Sequence, residues 1–374
     1  LEKSGVKLNI TMSGLYIHVP FCRKKCDYCS FYSTTPTEEL IDLYLDSLQS
    51  EADACLNMHR KTVETVFVGG GDPLVLDADQ LSRLIDIVLK HIKAGQIKEW
   101  TFEGNPENLT RKKAEILALV PALRISMGVQ RLKDEELNLL GRRARMKQII
   151  NAAEICSDFD FNTGFDFIIG VPGCESIAED LNRFLEKFPA RHISSYFLSI
   201  EPGTPLYKKL SLQQIADTGP EELFEIKKVL AARGFEHYEI SNFALKKSRC
   251  LHNINYWQGK NYIGLGPAAV STVDSLRACN PPDLEQYLND KAAEVEVLSV
   301  IDKRNEYLML RLRLLNDGLN LTRFAEKFGQ PDKNFFMKLE FQLEQELIEK
   351  SGNIIKLSEK GIIFADKVMA ELFI

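Results

Sequence analysis

The stretch Cys22-Arg23-Lys24-Lys25-Cys26-Asp27-Tyr28-Cys29 places three thiols in eight residues, and no other part of the chain limits its fold and chemistry as tightly. The spacing Cys-x3-Cys-x2-Cys leaves so little chain between ligands that all three project from one tight loop. A cubane iron–sulfur cluster takes four ligands, usually cysteines, so three leave one iron with an open position. An open iron can bind a small chelating molecule. Arg23, Lys24 and Lys25 favour the thiolate forms and an anionic cluster. Two other uses of the triad stand beside this one: a structural zinc knuckle, and three unrelated core cysteines. Structural zinc wants four closed ligands in a tetrahedron, and the next cysteine, Cys55, falls inside a predicted helix.

The setting expected for such a loop is reducing and cytoplasmic. With 374 residues the chain has room for two or three domains, and 45% hydrophobic residues is the share of an ordinary globular protein. No apolar run reaches the length of a membrane span, and the N-terminus lacks a signal-peptide pattern. Residues 1–11 read as an upstream extension before the first strand, which begins near Met12-Ser13-Gly14. A net charge of −6 and a pI near 5.7 argue against a nucleic-acid partner. Cys55, Cys156, Cys174, Cys250 and Cys279 are scattered singly, as small buried hydrophobes are.

Strand and helix signals alternate through the first two hundred residues. Strands are expected at 15–19, 65–68, 99–102, 124–129, 161–169 and 193–200, each a short apolar or β-branched run suited to a helix-covered parallel sheet. Thr35-Pro36-Thr37-Glu38 reads as a capping box with proline at the first helical position. In the helix that follows, Leu40, Ile41, Tyr44, Leu45, Leu48, Ala52 and Cys55 share a face, which makes Cys55 a core residue. Further helices are expected at 79–92, 147–156, 177–188 and 221–233. Six β/α units suggest an α/β partial barrel, (β/α)6, with its chemistry at the C-terminal strand ends. The cysteine loop follows strand one, and Val68-Gly69-Gly70-Gly71-Asp72-Pro73 follows strand two. Glycines there let backbone approach a ligand closely. Asp72 can accept from an ammonium, or serve as an Asp-Pro turn residue. Asp166, amid apolar neighbours from Phe165 to Ile169, is costly to bury unless satisfied.

With these residues in place, the chain resembles the radical S-adenosylmethionine (SAM) family, whose signature is this cysteine spacing at the end of a first strand. The resemblance implies a [4Fe-4S] cluster on Cys22, Cys26 and Cys29, with SAM chelating the open iron. It implies that Gly70 and Gly71 meet the amino group of SAM, although relatives usually carry threonine where this chain has Asp72. Glu103, Gln130, Arg142 and Asp166 are implied to hold the methionine carboxylate, ribose or nearby polar groups. Tyr16 and Tyr28 border the same site, and Val270 offers backbone and an apolar face to adenine.

Within that family the motifs resemble the group of oxygen-independent coproporphyrinogen III dehydrogenases and HemW-like haem chaperones, across nearly the whole chain. The dehydrogenase pattern has a fourth cysteine two residues after the triad, where this chain has Phe31. The stretch 238–244, the stretch Cys250-Leu251-His252-Asn253-Ile254-Asn255-Tyr256-Trp257 and the run 201–206 resemble the chaperones. The resemblance makes His252 a haem contact, with Tyr256 and Trp257 covering the macrocycle. The other reading of His252 is a hydrogen-bonded structural histidine. Chaperone-like members often carry histidine where this chain has Val270.

Residues 12–280 are expected to form the barrel and the region after it. Residues 300–374 are expected to form a small helical, winged-helix-like domain, with the boundary between Ser275 and Asp302. No basic stripe suits that domain to DNA. The resulting expectation is a carrier that binds haem and delivers it to a recipient membrane haemoprotein, without a membrane span of its own. The alternative is an enzyme oxidising coproporphyrinogen III or modifying another tetrapyrrole. No catalytic residue is assigned, and dehydrogenase activity is not expected.

Overall fold

The computed structural model describes residues 12–56, 62–210 and 220–373; the expected extension at 1–11 lies outside them. Six strands follow the expected positions closely: β1 (Gly14–Val19), β2 (Thr65–Gly70), β3 (Glu99–Gly104), β4 (Leu123–Gln130), β5 (Asn162–Ile169) and β6 (His192–Phe197). They run parallel in that order. Next come β7 (Glu236–Glu239), β8 (Asn242–Ala244), β9 (Tyr262–Leu265), β10 (Val270–Val273), β11 (Leu276–Cys279) and β12 (Glu294–Val297). Strand β9 pairs parallel to the free side of β1, so the parallel set numbers seven rather than six. Antiparallel strands extend it on both sides, and the two ends, β12 and β7, do not pair with each other, so the barrel stays open.

The strands alternate, and the alternation sorts their side chains into two compartments. Leu15, Ile17, Val19, Val66, Val68, Trp100 and Phe102 are buried in one apolar cluster with Tyr44, Leu45 and Leu48 of the helix Glu38–Leu56. The residues between them form the lumen: Tyr16 and His18, Thr65, Thr101 and Glu103, Arg124 and Ser126, Asp166, His192 and Ser194. Helices cover the outer face alone, as the expected (β/α)6 partial barrel requires.

Outer helices start on local caps. Asp77 and Gln80 close a capping box ahead of Ala78–His91. Ahead of Glu38–Leu56 the cap is Thr37, whose hydroxyl accepts the Leu40 N–H at 3.2 Å. The expected box at Thr35 therefore shifts by two residues, and Pro36 stands before the helix. Cys55 is half-buried and packs against the core without entering it.

Residues 281–297 do not form a linker, because β12 pairs with β11 and continues the sheet. The helix Val300–Arg313 then opens the C-terminal domain on a Ser299 capping box. Strands β13 (Leu319–Asn320), β14 (Ile348–Ser351) and β15 (Ile354–Leu357) make a small sheet beside the helices Leu321–Phe328 and Lys333–Glu344. Its core of Leu308, Leu312, Phe324, Phe335, Leu339, Ile355 and Val368 is separate from that of the barrel. The expected helices are present, with β14 and β15 as a hairpin and β13 as its third strand. No helix among the described residues is long and apolar enough to cross a membrane.

Candidate functional site

The cysteine loop is held from several sides. The Cys22 N–H donates to Thr34 O (2.9 Å), and the Thr34 N–H donates to Pro20 O (2.7 Å). Asp27 is the anchor of the far side. Its N–H donates to Leu140 O (3.1 Å), its carbonyl accepts the Leu206 N–H (2.8 Å), and its carboxylate pairs with Lys209. Gly141, at φ +68°, makes this possible, since a Cβ there would lie 2.4 Å from the Asp27 carboxylate. The run 201–206 thus gains a local explanation: Thr204 caps the short helix Pro205–Lys209, which braces the loop.

Among the described residues, no three His, Cys, Asp or Glu side chains gather tightly enough for a single metal ion. A zinc knuckle gains no support from that geometry. A cubane asks for something different, three thiolates that each bond a separate iron. Burial, and then Asp72, pushes the Cys22 thiol up to about 12, and burial raises Cys29 as well. Loading metal must therefore displace protons.

Around this loop the C-terminal strand ends carry the polar set. Glu103 accepts the Gly70 N–H at 3.3 Å, and burial together with Asp166 raises its pKa to about 7. Asp166 accepts from Ser126 Oγ, 3.0 Å from each oxygen, and from Ser194; burial raises its pKa. The Tyr16 hydroxyl meets His18 Nδ1 at 3.0 Å. Burial and the charge of Glu103 raise the Tyr16 pKa. Burial also raises that of Tyr28, beside Arg142 and Cys26. Gln130 sits at φ +71° after a register shift in β4, a strained backbone at the lip of the barrel. Arg142 is buried and donates to Cys26 Sγ (3.4 Å), Asn105 Oδ1 (2.8 Å) and Gly128 O (2.5 Å), while its Nε has no acceptor. Gly266, just after β9, approaches His18 O so closely that a Cβ would lie 2.4 Å away. The turn it begins brings Val270 to the same end. A buried guanidinium with a spare donor, beside three thiols and the carboxylates of Glu103 and Asp166, fits a cluster with a chelator that carries a carboxylate and a positive charge.

Three expected site residues, Gly70, Gly71 and Asp72, have close neighbours within the protein. The Asp72 carboxylate accepts from Leu74 N–H (3.1 Å), Asn105 N–H (3.2 Å) and Asn108 Nδ2 (2.5 Å), the environment of a turn residue. The glycines before it yield space to the protein itself, since a Cβ on Gly71 would meet Phe21 O at 2.6 Å and one on Gly70 the His18 ring at 2.6 Å.

His252 lies at the opposite end of the barrel. It stands second in the helix Leu251–Trp257, which closes the floor, and Glu99 receives both the Leu251 and His252 N–H groups at 2.9 Å. Its Nδ1 is 2.9 Å from Thr65 Oγ1, its Nε2 is buried without a partner, and burial lowers its pKa to about 3. Thr65 pairs with Gly14 and Gly70 with Val19, so floor and mouth are separated by five strand steps, roughly 17 Å. This placement separates His252 from the cysteine loop and sets its ring 4.7 Å from that of Tyr256 on the same helix.

A cleft of about 370 Å³ opens below the floor, between that helix, β9 to β11 and the helix Val300–Arg313. Tyr256, Trp257, Tyr262 and Tyr307 line it with Met309 and Leu310, and Lys260, Arg277, Lys303 and Lys327 supply cations. Lys327 lies 4.9 Å over the Tyr307 ring, with its pKa lowered by burial and then by Lys303. Arg313 lies over Trp257 at 4.3 Å and pairs with buried Glu239 at 3.4 Å, which docks the C-terminal domain. The sequence motif names Tyr256 and Trp257 but not Lys303 and Lys327, which come from the C-terminal domain. Asn105, Ser126 and Ser194 were also missed, although alternation along β4 and β6 carries that signal.

Comparison with known proteins follows the same division. Residues 16–184 match the Radical SAM superfamily model and 298–364 the HemN C-terminal domain model. The chain is 30% identical to "Heme chaperone HemW" of Bacillus subtilis over 96% of its own length and 98% of that protein. It is likewise 30% identical to the Lactococcus lactis protein of the same name, covering 97% of each. Among solved structures, coproporphyrinogen III oxidase (HemN) from Escherichia coli superposes with a TM-score of 0.81 at 21% identity, over 97% of this chain and 90% of that one. That last likeness concerns the fold.

Proposed function

This chain belongs to the HemW family within the radical SAM superfamily, and on that premise we propose that it is a cytoplasmic haem chaperone. It takes up haem and passes it to a recipient haemoprotein at the membrane. The observation that carries this reading is the cleft below the floor. Aromatic faces suit a flat macrocycle, and Lys303 and Lys327 suit its propionates. Small-molecule sites run from about 300 to 1,000 Å³. A cleft of about 370 Å³ covers part of a macrocycle and leaves an edge exposed, which is what a donor that must release its cargo requires.

At the mouth, Cys22, Cys26 and Cys29 would hold a [4Fe-4S] cluster, and Arg142, Glu103, Asp166 and Gln130 would hold SAM. Bound together, that pair supplies the radical chemistry of the superfamily. Phe31, 69% exposed, stands where the dehydrogenase pattern has its extra cysteine.

Anaerobic haem titration and a porphyrinogen assay on the same sample test the reading. Lys303→Glu with Lys327→Glu is expected to weaken haem binding at least tenfold and to leave iron content unchanged. His252→Ala is expected to cost about 1–3 kcal/mol of stability and to leave the haem spectrum in place. A lost axial-ligand signature in that variant would make His252 a ligand of the haem. Robust anaerobic conversion of coproporphyrinogen III to protoporphyrinogen, with SAM consumed in proportion, would overturn the carrier reading.

A further inference from the structure

Arg142 is the point where the cysteine loop and the strand ends meet through one side chain. Its fork donates to the sulfur of Cys26 and to two neutral carbonyl oxygens, Asn105 Oδ1 after β3 and Gly128 O in β4. None of these partners is a carboxylate, although Arg142 is only 5% exposed and its Nε is buried without an acceptor. A buried cation in such company is costly until an anion arrives. Two negative groups are implied at this place, the cluster with its thiolates and the carboxylate of a chelator. Gly128 keeps the approach open: a Cβ there would crowd Gln130 Nε2 at 3.0 Å, Asn105 Oδ1 at 3.4 Å and the Arg142 guanidinium at 3.5 Å. The backbone itself holds the arginine in place, since its N–H donates to Leu137 O at 2.9 Å.

We propose that Arg142 is a positioning residue that raises the reduction potential of the cluster through its N–H to Cys26 Sγ, and that it relays chelator binding to the cluster. The proposal rests on the reading of the cysteine triad as a cluster loop. Hydrogen bonds to cluster sulfurs and net charge are among the determinants of these potentials. An added electron makes the thiolate sulfurs more negative, so a donor on one of them favours the reduced state. No bond in the chain forms or breaks, and one electron enters from an external reductant, dithionite in the test. Because the same guanidinium is tethered at Asn105 and Gly128, a ligand that pulls on its Nε–H shifts the donor on sulfur.

The test is a dithionite titration of anaerobically reconstituted full-length protein, followed by electron paramagnetic resonance, with and without SAM. In Arg142→Gln the ratio of reduced to oxidised cluster at a fixed poise is expected to fall about tenfold, which is 59 mV for one electron. The SAM-induced change in potential is expected to shrink. Arg142→Lys keeps a charge but loses the fork, so a smaller fall of the same sign is expected. Should the glutamine variant fail to hold iron, the lysine variant decides. Full iron content with the parent potential in either variant overturns the proposal. Retention of a full cluster after replacing all three cysteines would instead overturn the triad reading, so the two failures are distinct.

Discussion

In the barrel the apolar side chains of the strands point outward, and the lumen is left to Glu103, Arg124, Ser126 and Asp166. In the C-terminal domain the apolar side chains point inward, with Leu308, Phe324, Phe335 and Leu339 packed at the centre. The two regions therefore bear substitution differently. The barrel keeps its cohesion outside the sheet, so changing its lumen alters ligands and leaves the scaffold standing. The small domain has no such spare interior, and a central change there removes packing directly.

The largest effect that would test this contrast is at the mouth. Replacing Cys22, Cys26 and Cys29 with alanine is expected to take iron from about four per chain to none, while circular dichroism stays that of the parent. Cys55→Ala is expected to keep the iron. Unfolding of the triple variant would break the contrast at its strongest point. Phe335→Ala is the counterpart in the small domain, expected to cost about 3–5 kcal/mol. Its haem titration should fail while its iron content persists; a loss of iron as well would mean the two cores are one cooperative unit.

A sharper reading comes from pH. Burial, then Asp166, raises Glu103 to about 7. Folded Glu103 holds its proton across a range, from its ordinary 4.5 to about 7, in which the unfolded chain has lost it. Its contribution to stability is thus largest at low pH and declines as pH rises through that window. Binding of the cationic SAM beside it works the other way, drawing off the proton. Affinity for SAM should climb by up to about tenfold per unit below pH 7 and level off above, and Glu103→Gln should flatten the slope. A slope that persists in that variant would assign the proton elsewhere. The smallest effect belongs to the outer layer. Asp77→Ala removes one helix cap for about 1 kcal/mol and should leave iron, SAM and haem binding alone.

What could be read from the sequence was mostly local. Strand positions, the glycine run and the cysteine loop follow from short patterns. The lumen was missed where alternation was discounted: Arg124, Ser126, Gly128 and Gln130 share one face of β4 while the eye follows Ile125, Met127 and Val129. The cap at Thr37 lay two residues from its expected place, because two threonines flank the proline and only backbone geometry chooses between them. His252 illustrates the other limit. Its motif names the residues of the floor helix, but which end of the barrel they close depends on a chain return from far away. The cleft needed that return and a second domain together, so Arg277, Lys303 and Lys327 stood in segments with no signal shared with the motif.

The pairing of β9 with β1 has a consequence for the order of events at the ribosome. Tyr262 is made about 250 residues after Gly14, its partner across the seam. At about 5–20 residues per second, β1 waits on the order of 12 to 50 seconds for its second neighbour. Until then the adjoining cysteine loop hangs from a strand with at most one neighbour, and Leu206 and Lys209 arrive only in the last quarter of the interval. Metal delivered early meets a hinged loop, and metal delivered after the seam closes meets a braced one. The timing of assembly is thereby written into the strand order.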